Sequence, residues 1–364
     1  MREFTQGTAW WSPDGRPVRA DPADQDRLPG DTWERAGLPA GVRLEFSARG
    51  VRAVEVAYAA SPPSDTDSYR NAPPVFTLLA DSCEEAGTPV PARRGSGTEA
   101  VGIPSQQDAP ARAPDTPTPP PGARAQSAFD SPAAPGSHVA RIELPYPDGD
   151  FTLHLPETLR PALTGLRPVG GGTIEPAARR PRWLVYGDSI AEGWSASRPH
   201  LAWPALAGRA LGLDTVNLGY AGAARGELAS AQQLASLQGD LITVAFGTNC
   251  WSRTPHSAGL LHETTRAFLA LVRQGHPGVP LLVLSPVLRP DAESVPNALG
   301  ATLGELRSAV ERAAGDAGAA LLPGGGLLES RHLVDGVHPG DTGHGLLADA
   351  VAAALRRGQP WTAS

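Results

Sequence analysis

Short stretches in which apolar and polar residues alternate dominate the first half of the chain. VRLEFSA (42–48), VRAVEVAYAA (51–60), PVFTLLA (74–80), ARIELPY (140–146) and FTLHLP (151–156) are each bounded by Gly, Pro or Asp. A period of two broken by turn residues is the pattern of strands, and no long helical period interrupts it. Short antiparallel strands bury an apolar face only against a second layer. Residues 1–175 are therefore expected to form a β-sandwich, jelly-roll-like in outline. Residues 85–138 break the pattern: EEAGTPVPARRGSGTEA and DAPARAPDTPTPPPGARAQ hold few large apolar side chains. They read as a disordered insertion between strands.

The texture changes after GGGTIEPAARRPR (170–182), which reads as a linker. RWLVYG (182–187), DTVNLG (214–219), DLITVAFG (240–247), PLLVLSP (280–286) and AALLPG (319–324) are continuous apolar runs of buried parallel-strand type. Helical stretches lie between them at 201–212, 226–238, 257–275 and 297–317, and a last one covers 341–357. Strand and helix in alternation predict a doubly wound parallel sheet over about 180–360, with helices on both faces. Ligands of such sheets bind beyond the carboxyl ends of the strands.

Composition narrows the function. The 364 residues are 41% apolar and 19% charged, enough for substantial cores. A net charge of -7 without a basic cluster disfavours nucleic acid. The chain contains no lysine, which removes Schiff-base chemistry, pyridoxal phosphate attachment and the phosphate-loop lysine. Its two cysteines, Cys83 and Cys250, make neither a disulfide framework nor a zinc cluster. The opening MREFTQGTAWWSPDG lacks an apolar signal region, and nowhere do 18 apolar residues run together. The expectation is a cytoplasmic protein that engages no membrane.

The chemistry gathers at the predicted strand ends. The first strand releases Gly187-Asp188-Ser189-Ile190-Ala191-Glu192-Gly193-Trp194 and the second releases Asn217-Leu218-Gly219-Tyr220-Ala221-Gly222. The third releases Gly247-Thr248-Asn249, and Asp335-Gly336-Val337-His338-Pro339 follows the fifth. A serine needs a base to become a nucleophile, and histidine is the usual one. A carboxylate orients the imidazole, and an oxyanion formed at the attacked carbonyl needs donors fixed in advance. Each residue also has a plain structural reading. Ser189 caps the next helix, Gly219 and Gly222 permit a tight turn, and Asn249 and Asp335 suit turn positions.

These four segments, in this order, resemble the sequence blocks of the SGNH (GDSL) hydrolase superfamily over about residues 182–357. The resemblance implies a flavodoxin-like three-layer α/β/α domain and a serine esterase working through an acyl-serine. Carried over position by position, Ser189 is the nucleophile, His338 the base and Asp335 its orienting partner. The oxyanion hole consists of the N–H groups of Ser189 and Gly222 and the side-chain amide of Asn249. Gly219 competes with Gly222 for that role. Cys250 departs from the pattern by standing where the third block has aspartate. Ala191 replaces the second glycine of an ordinary α/β-hydrolase elbow.

Trp194, Tyr220 and Trp251 lie beside these blocks, either walling a substrate pocket or packing under the loops. Arg289 and Asp291, on the loop after the fourth strand, are candidates for polar substrate contacts. His338 and His344 without a third ligand make no metal site, so no metal or organic cofactor is implied. The substrate expected is a small acyl ester. One alternative is an acyltransferase using an alcohol acceptor on a secondary metabolite. The other is a glycan-binding sandwich fused to an inactive domain.

Overall fold

The computed structural model describes residues 1–60, 75–80 and 136–357. In the first half β4 (Arg43–Arg49) is flanked on one side by β8 (Gly149–His154), and β8 by β6 (Thr77–Ala80). Along its other edge β4 meets β1 (Thr5–Gln6) and then β10 (Thr173–Pro176), all antiparallel. A second sheet has β5 (Ala53–Ala60) between β7 (Gly136–Glu143) and β9 (Ala162–Val169). Leu44, Phe46, Phe151 and Leu153 of the first sheet share one core with Val54, Val56, Tyr58 and Ile142 of the second. This is the β-rich part that the alternation predicted.

Two features of this half differ from the expectation. Thr173–Pro176, expected in a linker, is a strand paired with Phe46–Arg49. The insertion expected at 85–138 falls outside the described residues as far as 135, but Gly136–His138 already belong to β7.

The second half holds five parallel strands: β11 (Arg182–Gly187), β12 (Asp214–Gly219), β13 (Leu241–Ala245), β14 (Leu281–Leu284) and β15 (Ala320–Leu322), in the order β12-β11-β13-β14-β15. That order is flavodoxin-like, with its switch point between β11 and β13. Alternate residues serve opposite faces, which explains the unbroken apolar runs. Leu184, Tyr186, Ile242 and Val244 pack with α4 (Leu228–Ser236), α6 (Ala258–Gly275) and α7 (Leu303–Asp316). Trp183, Val185, Leu282 and Leu284 pack with α3 (Trp203–Leu211) and α8 (Asp341–Arg357). The helix expected over 297–317 starts at Leu303, because Thr302 and Glu305 close a capping box there. Asn297 instead ties a turn, its side-chain oxygen accepting from Leu299 and Ala301.

The halves meet through buried polar contacts. Asp214, at the start of β12, accepts from Gly7 N–H and from the Arg43 guanidinium at 2.9 Å each, and Glu45 also pairs with Arg43. Ala20, Leu28 and Ala36 from the N-terminal segment lie in the same core as Tyr186 and Phe246. That segment includes a short antiparallel pair, β2 (Trp10–Trp11) and β3 (Pro17–Val18), and α1 (Gly30–Ala36), and packs on the parallel sheet. None of the helices among the described residues is long and apolar enough to cross a membrane.

Candidate active site

Ser189 opens α2 (Ser189–Glu192), immediately beyond the carboxyl end of β11. Asp188 caps that turn, its side chain accepting from Ile190 N–H at 3.0 Å. Burial pushes the Asp188 carboxyl up to about 6, although the Ile190 and Ala191 amides and the Thr248 side chain oppose the rise. Asp188 is thus a structural acid beneath the nucleophile. Gly193, at φ 97°, ends the turn in the left-handed region and sends Trp194 back over the site.

The loop before α8 supplies the other two residues of the Ser/His/Asp set. Val334 N–H bonds His338 O at 2.8 Å, closing a tight turn around Gly336, whose φ is 81°. Asp335 accepts the amides of Val337 and His338 with one oxygen, at 3.0 and 2.8 Å. Its other oxygen is 2.7 Å from His338 Nδ1. Partial burial alone would raise the Asp335 carboxyl, but the bonds from the His338 side chain and amide outweigh it and hold it low. His338 Nε2 then stands 2.9 Å from Ser189 Oγ. With Nδ1–H donating its hydrogen bond to the carboxylate, Nε2 is placed to accept a proton from Ser189 Oγ.

The glycine loop and the third block complete the rim. Gly222 sits at φ 73°, a conformation that favours glycine. Among the described residues the N–H groups of Ser189 and Gly222 have no acceptor. Asn249 opens α5 (Asn249–Ser252) and donates its side-chain amide to Ala224 O at 3.2 Å. Gly219 N–H, by contrast, is taken by Asn217 Oδ1 at 2.8 Å. A Cβ on Gly219 would meet the Glu192 backbone, so glycine is needed there for close approach.

The substrate candidates divide. The Trp194 ring lies 5.6 Å from the His338 ring, beside the site. For Tyr220, of the two roles the sequence left open, the structure shows packing under the loop rather than a pocket wall. Tyr220 is 3% exposed, packs against Tyr186, and gives its hydroxyl to Arg19 O, so it lies under the loop. Trp251, Arg289 and Asp291 form a group of their own. Arg289 stacks 4.6 Å over Trp251, reaches Ser252 Oγ and pairs with Asp291. Cys250 is wholly buried in the core, and burial pushes its thiol far up, which suits packing rather than nucleophilic chemistry. His344 is also spent structurally, accepting from Trp203 N–H at 3.3 Å and meeting Trp194 O at 3.1 Å.

Sequence reasoning missed Arg19, Arg35 and Glu192. Glu192 stands inside the first block, and a buried carboxylate there needs a cationic partner; nothing local tells that Arg19 and Arg35 supply it.

A flavodoxin-like sheet carries a serine, a histidine and an aspartate aligned beyond the carboxyl ends of its strands, an arrangement able to perform acyl-transfer chemistry. Residues 185–346 match the GDSL-like Lipase/Acylhydrolase family, which supports an SGNH-type hydrolase domain and acyl-ester chemistry in that half of the chain. No match was found among curated proteins. Among solved structures, a salicylyl-acyltransferase, SsfX3, from a tetracycline biosynthetic pathway is similar at 22% identity, with a TM-score of 0.75 over 97% of this chain and 94% of the other. A GDSL-like lipase from Bacteroides ovatus is 18% identical, with a TM-score of 0.70 over 98% and 96%. A family two carbohydrate esterase from Clostridium thermocellum is 13% identical, with a TM-score of 0.56 over 88% and 93%. These likenesses cover both halves and establish the shared fold.

Proposed function

We propose that the protein is a serine esterase that cleaves small O-acyl esters through an acyl-serine, with Ser189, His338 and Asp335 as its triad. The observation that carries this reading is the chain of contacts from Asp335 Oδ2 through His338 to Ser189 Oγ, at 2.7 and 2.9 Å. His338 takes the Ser189 proton as Oγ attacks the ester carbonyl. The carbonyl oxygen becomes an oxyanion, held by the Ser189 and Gly222 amides and the Asn249 side chain. Collapse expels the alcohol, which takes the proton from His338, and leaves the acyl group on Ser189. Water, deprotonated by His338, attacks the acyl-serine and releases the acid and free Ser189.

An aligned relay supports catalysis over a sandwich joined to an inactive domain. Labelling with a serine-reactive fluorophosphonate tests the assignment. The expected adduct lies on Ser189, is absent in Ser189→Ala and forms slowly in His338→Ala. Equal labelling of wild type and Ser189→Ala contradicts it.

The whole-length likeness to the salicylyl-acyltransferase favours a second reading, in which an alcohol replaces water in the second step. Mass spectrometry of products with an added alcohol separates the two: free acid alone means hydrolysis, and a new ester means transfer.

A further inference from the structure

The loop carrying Gly222 is closed from within by Ala223 and Ala224 N–H on Tyr220 O, and is also gripped by residues distant in sequence. Gly219 O accepts from the Arg19 guanidinium, and Tyr220 gives its hydroxyl to Arg19 O. Ala221 N–H donates to Glu192 Oε2 at 3.1 Å. Glu192 in turn receives Arg19 on that oxygen at 3.2 Å, and Arg35 on both oxygens. All three side chains are essentially without solvent: Arg19 and Glu192 at 0% and Arg35 at 5%. Arg19 is fixed from behind as well, donating to Leu38 O and Arg35 O at 2.5 Å each.

The two arginines belong to the N-terminal segment, whereas Glu192 belongs to the nucleophile turn and residues 219–222 to the glycine loop. One buried cluster therefore joins three pieces of chain that are far apart in sequence. It ties together the two turns that carry Ser189 N–H and Gly222 N–H, the proposed oxyanion donors. It also reaches the base side of the site, because Arg35 lies 5.5 Å from the Trp194 ring, itself 5.6 Å from His338.

Burying three charges is costly before pairing, and apolar side chains of similar volume often serve stability as well. Stability alone is therefore a weak reason for such a cluster. Geometry is a better one, since a donor displaced by an ångström loses much of its effect on a developing oxyanion.

We propose that Arg19 and Arg35, acting through Glu192, are positioning residues that fix Gly222 N–H relative to Ser189, so that the N-terminal segment completes the oxyanion hole. The inference rests on the reading of Gly222 as an oxyanion donor.

The test compares Glu192→Gln, Arg19→Lys and Tyr220→Phe with wild type and Ser189→Ala. Three quantities are read on the full chain: kcat and KM for a neutral p-nitrophenyl ester, affinity for an alkylboronic acid that mimics the tetrahedral state, and the melting temperature. Glu192→Gln keeps an acceptor for Ala221 N–H but weakens the hold of both arginines. It is expected to lower kcat about tenfold, less than the 10²–10³ of losing a donor outright. KM should stay within about twofold, and boronate affinity should fall by the same factor as kcat/KM. Tyr220→Phe removes one hydroxyl and keeps the ring, so it remains informative if Glu192→Gln does not fold; it is expected to lose kcat and boronate affinity together, about threefold.

Folded variants with wild-type kcat and boronate affinity, or with only KM raised, overturn the proposal. Turnover that survives Ser189→Ala overturns the functional reading itself. A dead Ser189→Ala beside unaffected Glu192→Gln and Tyr220→Phe overturns only this inference.

Discussion

Gly219 lies so close to Glu192 that a Cβ on it would stand 2.3 Å from the Glu192 backbone nitrogen and 2.7 Å from its Cα. The obstacle is backbone, which cannot rotate away. Gly219→Ala is therefore expected to push the glycine loop off the nucleophile turn, at about 1–3 kcal/mol. Chemical denaturation should show that loss, with a fall in turnover larger than the stability change explains.

Asn249 is the side-chain donor proposed for the oxyanion. Asn249→Ala is expected to lower kcat about 10²- to 10³-fold with little change in KM. Steady-state kinetics on a neutral ester checks this; a change confined to KM would assign Asn249 to substrate binding instead.

Asp335 is about half exposed, so water partly replaces it when it is neutralised. Asp335→Asn is expected to lower kcat roughly 10²-fold, through a misdirected His338 ring rather than loss of the nucleophile. Fluorophosphonate labelling of Ser189 should slow in step with turnover.

Asp188 gives the protein a pH-dependent stability. Burial raises its carboxyl from an ordinary 3.8 to about 6 in the folded state. Between those values the folded protein holds a proton that the unfolded chain has released, so stability falls as pH rises across the window. The shift corresponds to about 3 kcal/mol at neutral pH. Asp188→Asn keeps a capping acceptor and removes the charge, so its stability should lack this slope. Urea denaturation at pH 4, 5, 6 and 7 measures the difference; parallel curves for the two proteins would contradict it.

Cys250 is buried in the core with its thiol toward Arg225 O, so Cys250→Ala should leave a small cavity, whereas Cys250→Asp buries a carboxylate near Glu227 and Asp188 and should destabilise the fold by several kcal/mol. Thermal melts of the two variants rank these effects.

Much of the parallel-sheet half was legible because buried parallel strands leave an unmistakable record. The runs 182–187 and 214–219 coincide with β11 and β12, and the last helix with α8. Ser189, Asp335 and His338 could be picked out as candidates because ordered sequence blocks carry them past predicted strands, and the structure brings the three within hydrogen-bond reach. The weak points were short elements whose partners lie far off in sequence. Thr173–Pro176 contains a proline and sits at an edge, so it imitates a linker. Tyr220 stands between candidate oxyanion glycines, yet its hydroxyl turns inward to Arg19, 201 residues away. The Arg19, Arg35 and Glu192 cluster was invisible for the same reason: no periodicity records a contact between residues 173 positions apart.

The most direct test of the account is p-nitrophenyl acetate release followed from the first seconds, for wild type and for a Ser189→Ala protein with an unchanged melting temperature. The account predicts steady nitrophenol release by wild type and none above background in the variant. A burst of about one equivalent followed by a stall would keep Ser189 as nucleophile and move the acceptor from water to an alcohol. Equal release by both proteins would contradict the triad.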